Sequence, residues 1–173
     1  MKKYLVPILL VITLLAFAGV SFAEIRVLSV KGTAAYKAGG QWVPLQTGAV
    51  LAVGTKVSTG VRSNVVIKIN NHTVTVQPLT IMKVSESAED GKSSTTRIGL
   101  RRGSVRTKIA HDARIKTVFK VSTPVATSSV RGTEQIVVYS PTFGMRVFVL
   151  SGNVQGEGPV SYTHLTLPTI LLV

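Results

Sequence analysis

The chain has 173 residues and no cysteine, which excludes disulfides, thiolate metal sites, a cysteine nucleophile and a lipid-modified N-terminal cysteine. Lys and Arg total 20 against 7 acidic residues, a formal +13; such a surface attracts anionic partners over long range, or simply keeps a solvated face soluble. The length bounds it to one modest domain that must rely on its own core.

Lys2 and Lys3 precede an apolar run from Leu5 to Ala18 that only Pro7 and Thr13 interrupt, and Ser21-Phe22-Ala23 places small residues at both positions a signal peptidase reads. The run falls short of the roughly 20 residues a spanning helix needs. Residues 1–23 are therefore expected to be a secretory signal cleaved after Ala23, with an uncleaved anchor as the alternative. The membrane is contacted only through that segment if it stays uncleaved, and the mature chain is expected to be periplasmic or secreted.

From Glu24 to Gly158 the pattern is β throughout. Ile25 to Val30 alternates partly and ends at Lys31-Gly32. Ala38-Gly39-Gly40-Gln41 predicts a hairpin turn before Trp42-Val43-Pro44-Leu45. Trp42, the single tryptophan, is expected to plug the core. Gly48, Gly54 and Gly60 recur at an interval of six, a spacing that suits a β-solenoid or a rolled sheet. Val65, Ile67 and Ile69 fall on one face of a strand, Asn70-Asn71 turns it, and Val74 and Val76 align on the next. The Ser-, Glu-, Asp- and Gly-rich stretch from Ser85 to Thr95 predicts a loop. Arg101-Arg102-Gly103 predicts a hairpin turn between Arg97–Leu100 and Ser104–Ile109. Phe119, Val121, Ile136 to Tyr139 and Val147 to Leu150 supply the remaining strands, the last two linked by Ser140 to Gly144. No segment after the signal sustains helical periodicity. The fold expected for residues 24–158 is a single all-β domain, rolled or solenoid-like (a two-sided β-helix), with a β-sandwich as the alternative.

Positive charge is densest at Arg97, Arg101, Arg102, Arg106, Lys108, Arg114, Lys116 and Lys120, against Asp112 alone. Arg97 to Lys116 form a candidate face for an anionic partner, such as an envelope glycan or lipopolysaccharide. A solvated surface is the plainer reading of the same residues. Nucleic acid is a poor third partner, because export separates the domain from it and aromatic stacking platforms are sparse.

Residues 160–173 carry no charge, whereas charges are frequent from Glu24 to Gly158. The codons GTC TCT TAT ACA CAT CTG ACG CTG CCG ACG, those of a transposase adaptor used in sequencing libraries, translate as residues 160–169 without exception. The expectation is that residues 160–173 are adaptor-derived and that the native protein continues past Pro159 with further domains. A genuine β-segment is the alternative, since Leu, Thr, Ile and Val suit strands.

Nothing points to catalysis. His72 and His111 are the histidines before the tail, and both are expected on the surface. His111-Asp112 are sequence neighbours, the wrong arrangement for a base oriented across space. Zinc spacing, a phosphate loop and a Gly-x-Ser-x-Gly elbow are missing. Glu86, Glu89 and Asp90 lack the regular offsets of a calcium loop. No enzyme, metal or cofactor is expected.

The stretch from Phe119 to Glu134 combines a Thr123-Pro124 turn, the small residues Ala126 to Ser129, and a Val130-Arg131-Gly132-Thr133 corner. Pro124 fixes φ and gives up a donor, so it belongs at a turn. Gly132 permits positive φ or close backbone approach. Arg131 carries a planar five-donor fork suited to tying turns together, with Glu134 as one candidate partner. A bracing role is preferred to ligand binding, so Arg131→Ala should lower stability more than any binding. In order, Trp42-x-x-Leu45-x-x-Gly48, Gly54, Thr59-Gly60, Leu100-x-x-Gly103, Thr123-Pro124-Val125-Ala126, Val130-Arg131-Gly132-Thr133 and Val149-Leu150-Ser151-Gly152-Asn153-Val154 resemble the FecR domain family across residues 25–155. The resemblance implies a bacterial extracytoplasmic, non-catalytic module that senses, scaffolds or binds a protein partner. In the family's regulators that partner is a TonB-dependent outer-membrane receptor. Those regulators also carry a cytoplasmic region that contacts a sigma factor. Only Met1-Lys2-Lys3 precede the apolar segment here, so sigma-factor contact is not carried over.

Overall fold

Strict alternation sets the faces of the central strands. In Asn64–Ile69, Val65, Ile67 and Ile69 are fully buried while Lys68 points to solvent. In His72–Val76, Val74 and Val76 are buried likewise. Each such side chain stabilises the fold by about 1.5–3 kcal/mol relative to exposure. Asn70, at φ 52°, turns one strand into the other, and the two pair antiparallel from Val65↔Val76 to Ile69↔His72.

The computed structural model describes residues 24–90, 92–110, 114–130, 132–151, 154–157 and 160–164. Residues 1–23, expected to be a signal, together with His111-Asp112, Arg131 and the tail beyond His164, lie outside the described residues. Every regular element described is a strand: β1 (Ile25–Lys31), β2 (Ala34–Ala38), β3 (Gln41–Pro44), β4 (Val50–Leu51), β5 (Lys56–Thr59), β6 (Asn64–Ile69), β7 (His72–Val76), β8 (Ile81–Glu89), β9 (Ser93–Lys108), β10 (Lys116–Ser122), β11 (Thr127–Val130), β12 (Glu134–Ser140), β13 (Gly144–Ser151), β14 (Val154–Glu157) and β15 (Val160–His164).

They form one fifteen-stranded sheet that curls around a single core. Two arms meet at the long strand β9. Its first part pairs with β8 and β10, leading outward to β5, β2 and β3 on one side and to β11 and β14 on the other. Its last part pairs with β7 and β12, leading to β6, β1 and β4 and to β13 and β15. The all-β class expected from the sequence holds, and a rolled sheet describes it. Pairing is antiparallel except for β9–β10 and β13–β15.

The chain shuttles between the arms, and this gives the six-residue glycine interval its meaning. Gly48 N donates to Val27 O on one arm, Gly54 N to Val84 O on the other, and Gly60 N to Thr33 O at a crossing between them. Buried hydroxyls pin these crossings. Ser63 Oγ accepts from Thr33 N at 2.8 Å, and Thr59 Oγ1 accepts from Thr80 N at 3.0 Å.

Three expectations are corrected. Arg101-Arg102-Gly103 is not a hairpin turn: β9 runs on through it and bends at Gly103, whose φ is +95°. Thr80 Oγ1 takes Ser104 N at 2.9 Å just past the bend, so the bend replaces a reversal. The stretch from Ser85 to Thr95 is mostly strand, because most of its hydroxyls and carboxylates occupy an outer face while β8 and β9 pair, Ser94 alone among them being buried. Reversal is confined to the residues around Asp90, where Asp90 Oδ1 accepts from Ser93 N at 2.6 Å and Lys92 N at 3.0 Å. Trp42 does not plug the core. It sits on edge strand β3, 49% exposed, and the core is filled by aliphatic residues with Phe119 and Met82. Residues Val160–His164 of the uncharged tail lie parallel to β13, as their strand-forming composition allows whatever its genetic origin.

Candidate functional site

The Thr123-Pro124 motif and the Val130-to-Thr133 corner are separate features at opposite ends of β11. Thr123 closes a four-residue turn onto Ala126. Thr123 N donates to Ala126 O at 2.8 Å, and Thr123 Oγ1 also donates to Ala126 O at 2.9 Å while accepting from Ala126 N at 3.1 Å. Pro124, which lacks an N–H, costs the turn no bond. Thr123 Oγ1 also lies 3.5 Å from Met145 Sδ on the opposite arm.

At the other end the chain crosses from β11 to β12. Val130 and Thr133 are buried, and Gly132 has φ +64°, a conformation that suits glycine. Thr133 O accepts from Ile109 N at 3.0 Å. Beside the crossing, Ser128 Oγ donates to Gln135 Oε1 at 2.9 Å. Arg131 itself lies outside the described residues. Its candidate partner Glu134 takes Arg106, Nη2 to Oε1 2.6 Å.

The bend in β9 divides the basic residues. Arg97 and Arg101 point outward on one arm, and Arg106 and Lys108 on the other, so the stretch does not form one continuous strand face. Two of them are already answered by acids: Arg97 by Glu86 across β8–β9 at 3.8 Å, and Arg106 by Glu134. Arg106 and Lys108 line one outer groove together with Glu134. Arg101 lines another, with Lys56 and Lys83, beside Thr123 and Pro124. Arg102, opposite Ile81, Arg114 and Lys116 are exposed. Lys56 and Lys83 escape a sequence reading because they are 27 positions apart in number yet opposite each other on the sheet.

His72 is a further correction. It is 3% exposed rather than on the surface, its ring meeting Phe119 edge-on at 5.6 Å. Desolvation lowers its pKa from the usual 6.5, and among the described residues Nδ1 has no hydrogen-bond partner. The alternation that buries Val74 and Val76 also buries position 72, a signal the sequence did carry.

The FecR protein family model matches residues 55–155. The chain belongs to the FecR family. No curated protein and no solved structure matches it. The match covers β5 to β13 whole, including the bent strand, the Thr123 turn and the Val130-to-Thr133 crossing; Trp42, Leu45, Gly48 and Gly54 precede it. FecR domains are regulatory and sensing modules associated with the bacterial envelope, and in this one Thr123 and Ser128 reach across to Met145 and Gln135 on the other arm.

Proposed function

We propose that this chain is an exported, non-catalytic FecR domain that senses, scaffolds or binds a protein partner in the bacterial envelope. The observation that carries this reading is the family match over the strands that build the roll. Val130 and Thr133 are buried and Thr123 closes its own turn, so recognition falls to the outer surfaces. The edge strand β3 supports a protein partner: Trp42 is half-exposed there, and among the described residues β3 pairs only with β2. An open strand edge offers backbone bonds to an incoming strand, and tryptophan is enriched where binding energy concentrates.

The test is made in intact bacteria producing the full chain with a photo-crosslinking residue at position 42. The expected result is a processed chain in the periplasmic fraction and a discrete adduct with one envelope protein. A chain retained in the cytoplasm, or one that gives the same adducts from position 42 and from the distant outer position Lys68, overturns the reading.

A further inference from the structure

Four adjacent strands place Lys56, Lys83, Gly99 and Ser122 in one cross-strand row. Lys56 opposes Lys83, Lys83 opposes Gly99, and Gly99 opposes Ser122. Like charges directly opposite one another destabilise a sheet, so the lysine pair works against the fold that holds it. Two β-bulges flank the row. Between Ile81 and Met82 the β8–β9 register skips Arg101, and between Val84 and Glu86 it skips Ser85. Bulges re-aim the side chains they release, and both released residues line the same groove of about 410 Å³ with Lys56, Lys83 and Thr123.

Gly99 keeps this groove open. A methyl group there would stand 3.2 Å from Ser85 Oγ and 3.4 Å from Lys83 Cγ, so the lysine stem passes close over the glycine. No carboxylate of the described residues lines the groove. Among the described residues no acid pairs with Lys56, Lys83 or Arg101, whereas the neighbouring Arg97 is paired with Glu86.

We propose that this groove binds a phosphorylated sugar of an envelope glycan. Three cations with no acid among them match a dianionic phosphomonoester better than a single carboxylate, and arginine's fork takes two phosphate oxygens at once. The hydroxyls of Ser85, Ser122 and Thr123 suit a polyhydroxylated ring, and Ile81 and Pro124 offer apolar surface to its C–H face. The glycan as source rests on the exported location proposed above; the anion chemistry does not.

The test is calorimetric titration of the full chain with glucose 1-phosphate, with inorganic phosphate and glucose as parallel arms. Glucose 1-phosphate binds most tightly, and binding weakens with added salt. Lys83→Gln and Arg101→Gln each weaken it about tenfold or more, as expected for loss of a charge-assisted contact. Arg97→Gln changes it less than about twofold, because that guanidinium already faces Glu86. The thermal midpoint of Lys83→Gln equals or exceeds the parent's, since the opposed lysine pair is relieved, so weaker binding is not unfolding. Absence of binding by the folded parent overturns the proposal. So does inorganic phosphate or glucose binding as tightly as glucose 1-phosphate, or Arg97→Gln weakening binding as much as Lys83→Gln. Cytoplasmic retention of a chain that still binds glucose 1-phosphate overturns the glycan source alone, which separates this failure from failure of the anion site.

Discussion

Ser128 Oγ donates a 2.9 Å hydrogen bond to Gln135 Oε1, and both residues are fully buried. Ser128 lies on β11 and Gln135 on β12, in opposite arms of the roll, so one bond spans the crossing that contains Val130 and Gly132. The Gln135 amide nitrogen has no partner among the described residues, so this bond answers the amide oxygen alone. Ser128→Ala strands a buried acceptor and should cost about 1–3 kcal/mol, whereas removing both polar groups together is much less damaging. Urea denaturation of Ser128→Ala, Gln135→Met and the double variant measures it. The expected double-variant loss is clearly smaller than the sum of the single losses.

Gly103→Ala should be among the most damaging single changes in the domain. Its φ of +95° disfavours any side chain, and a methyl group would meet Thr80 Oγ1 at 2.3 Å and Thr80 Cα at 2.6 Å. The backbone conformation alone costs about 1–3 kcal/mol, and the collision with Thr80 adds to it. Gly144→Ala is the control, because φ there is +74° but nothing lies within 4 Å of the added methyl. Thermal unfolding should place Gly103→Ala well below Gly144→Ala; equal midpoints would show that the bend tolerates a side chain.

The rolled all-β class was legible because alternation and turn glycines are local signals. Gly39 and Gly40 both have positive φ in the hairpin they predict, and Asn70 turns where Asn70-Asn71 says it should. Three features were not legible because they depend on partners far along the chain. Gly103 reads as a turn glycine until Thr80 is seen to fasten a bend in a continuing strand. Ser85 to Thr95 reads as a loop by composition until β8 and β9 pair and give most of its polar side chains an outer face. The cationic groove depends on Lys56 and Lys83 meeting across two strands, a pairing that neither local sequence contains. Trp42 was misplaced for another reason: size argues for the core, but a strand at the end of a sheet has an outer side where a large ring remains exposed.

Trp42→Ala should leave stability nearly unchanged. The side chain is half-exposed on β3, where surface substitutions usually fall within about ±0.5 kcal/mol. Loss of a partner contact without loss of stability is the combination that marks a recognition residue. Thermal unfolding of Trp42→Ala checks the first half, and a drop comparable to that of Phe119→Ala would return Trp42 to the core. Phe119 is fully buried, and its truncation should cost about 3–5 kcal/mol.

His72 should make the fold acid-sensitive. Desolvation lowers its folded pKa below the unfolded 6.5, so the unfolded chain binds a proton that the folded chain refuses. Stability therefore rises with pH across the interval between the two values. It is fully present above the unfolded value and falls as pH drops from about 6.5 toward the lowered folded value. The groups facing His72 sharpen the test. Phe119 meets its ring edge-on, and Glu89, Asn71, Ser94 and Thr117 line the small cavity it borders. Of these only Glu89 carries charge, and it is exposed, so it offers an imidazolium little compensation through solvent. Urea denaturation at pH 7.5 and pH 5.5 should show the parent losing stability on acidification. His72→Gln, which cannot titrate, should lose less over the same interval. A parent and variant with the same pH dependence would place the acid sensitivity elsewhere than His72, and Asp90 would not account for it in this interval. Its pKa is held low by the backbone N–H groups of Ser93 and Lys92, and it gives up stability only at more acidic pH, as its carboxylate is protonated.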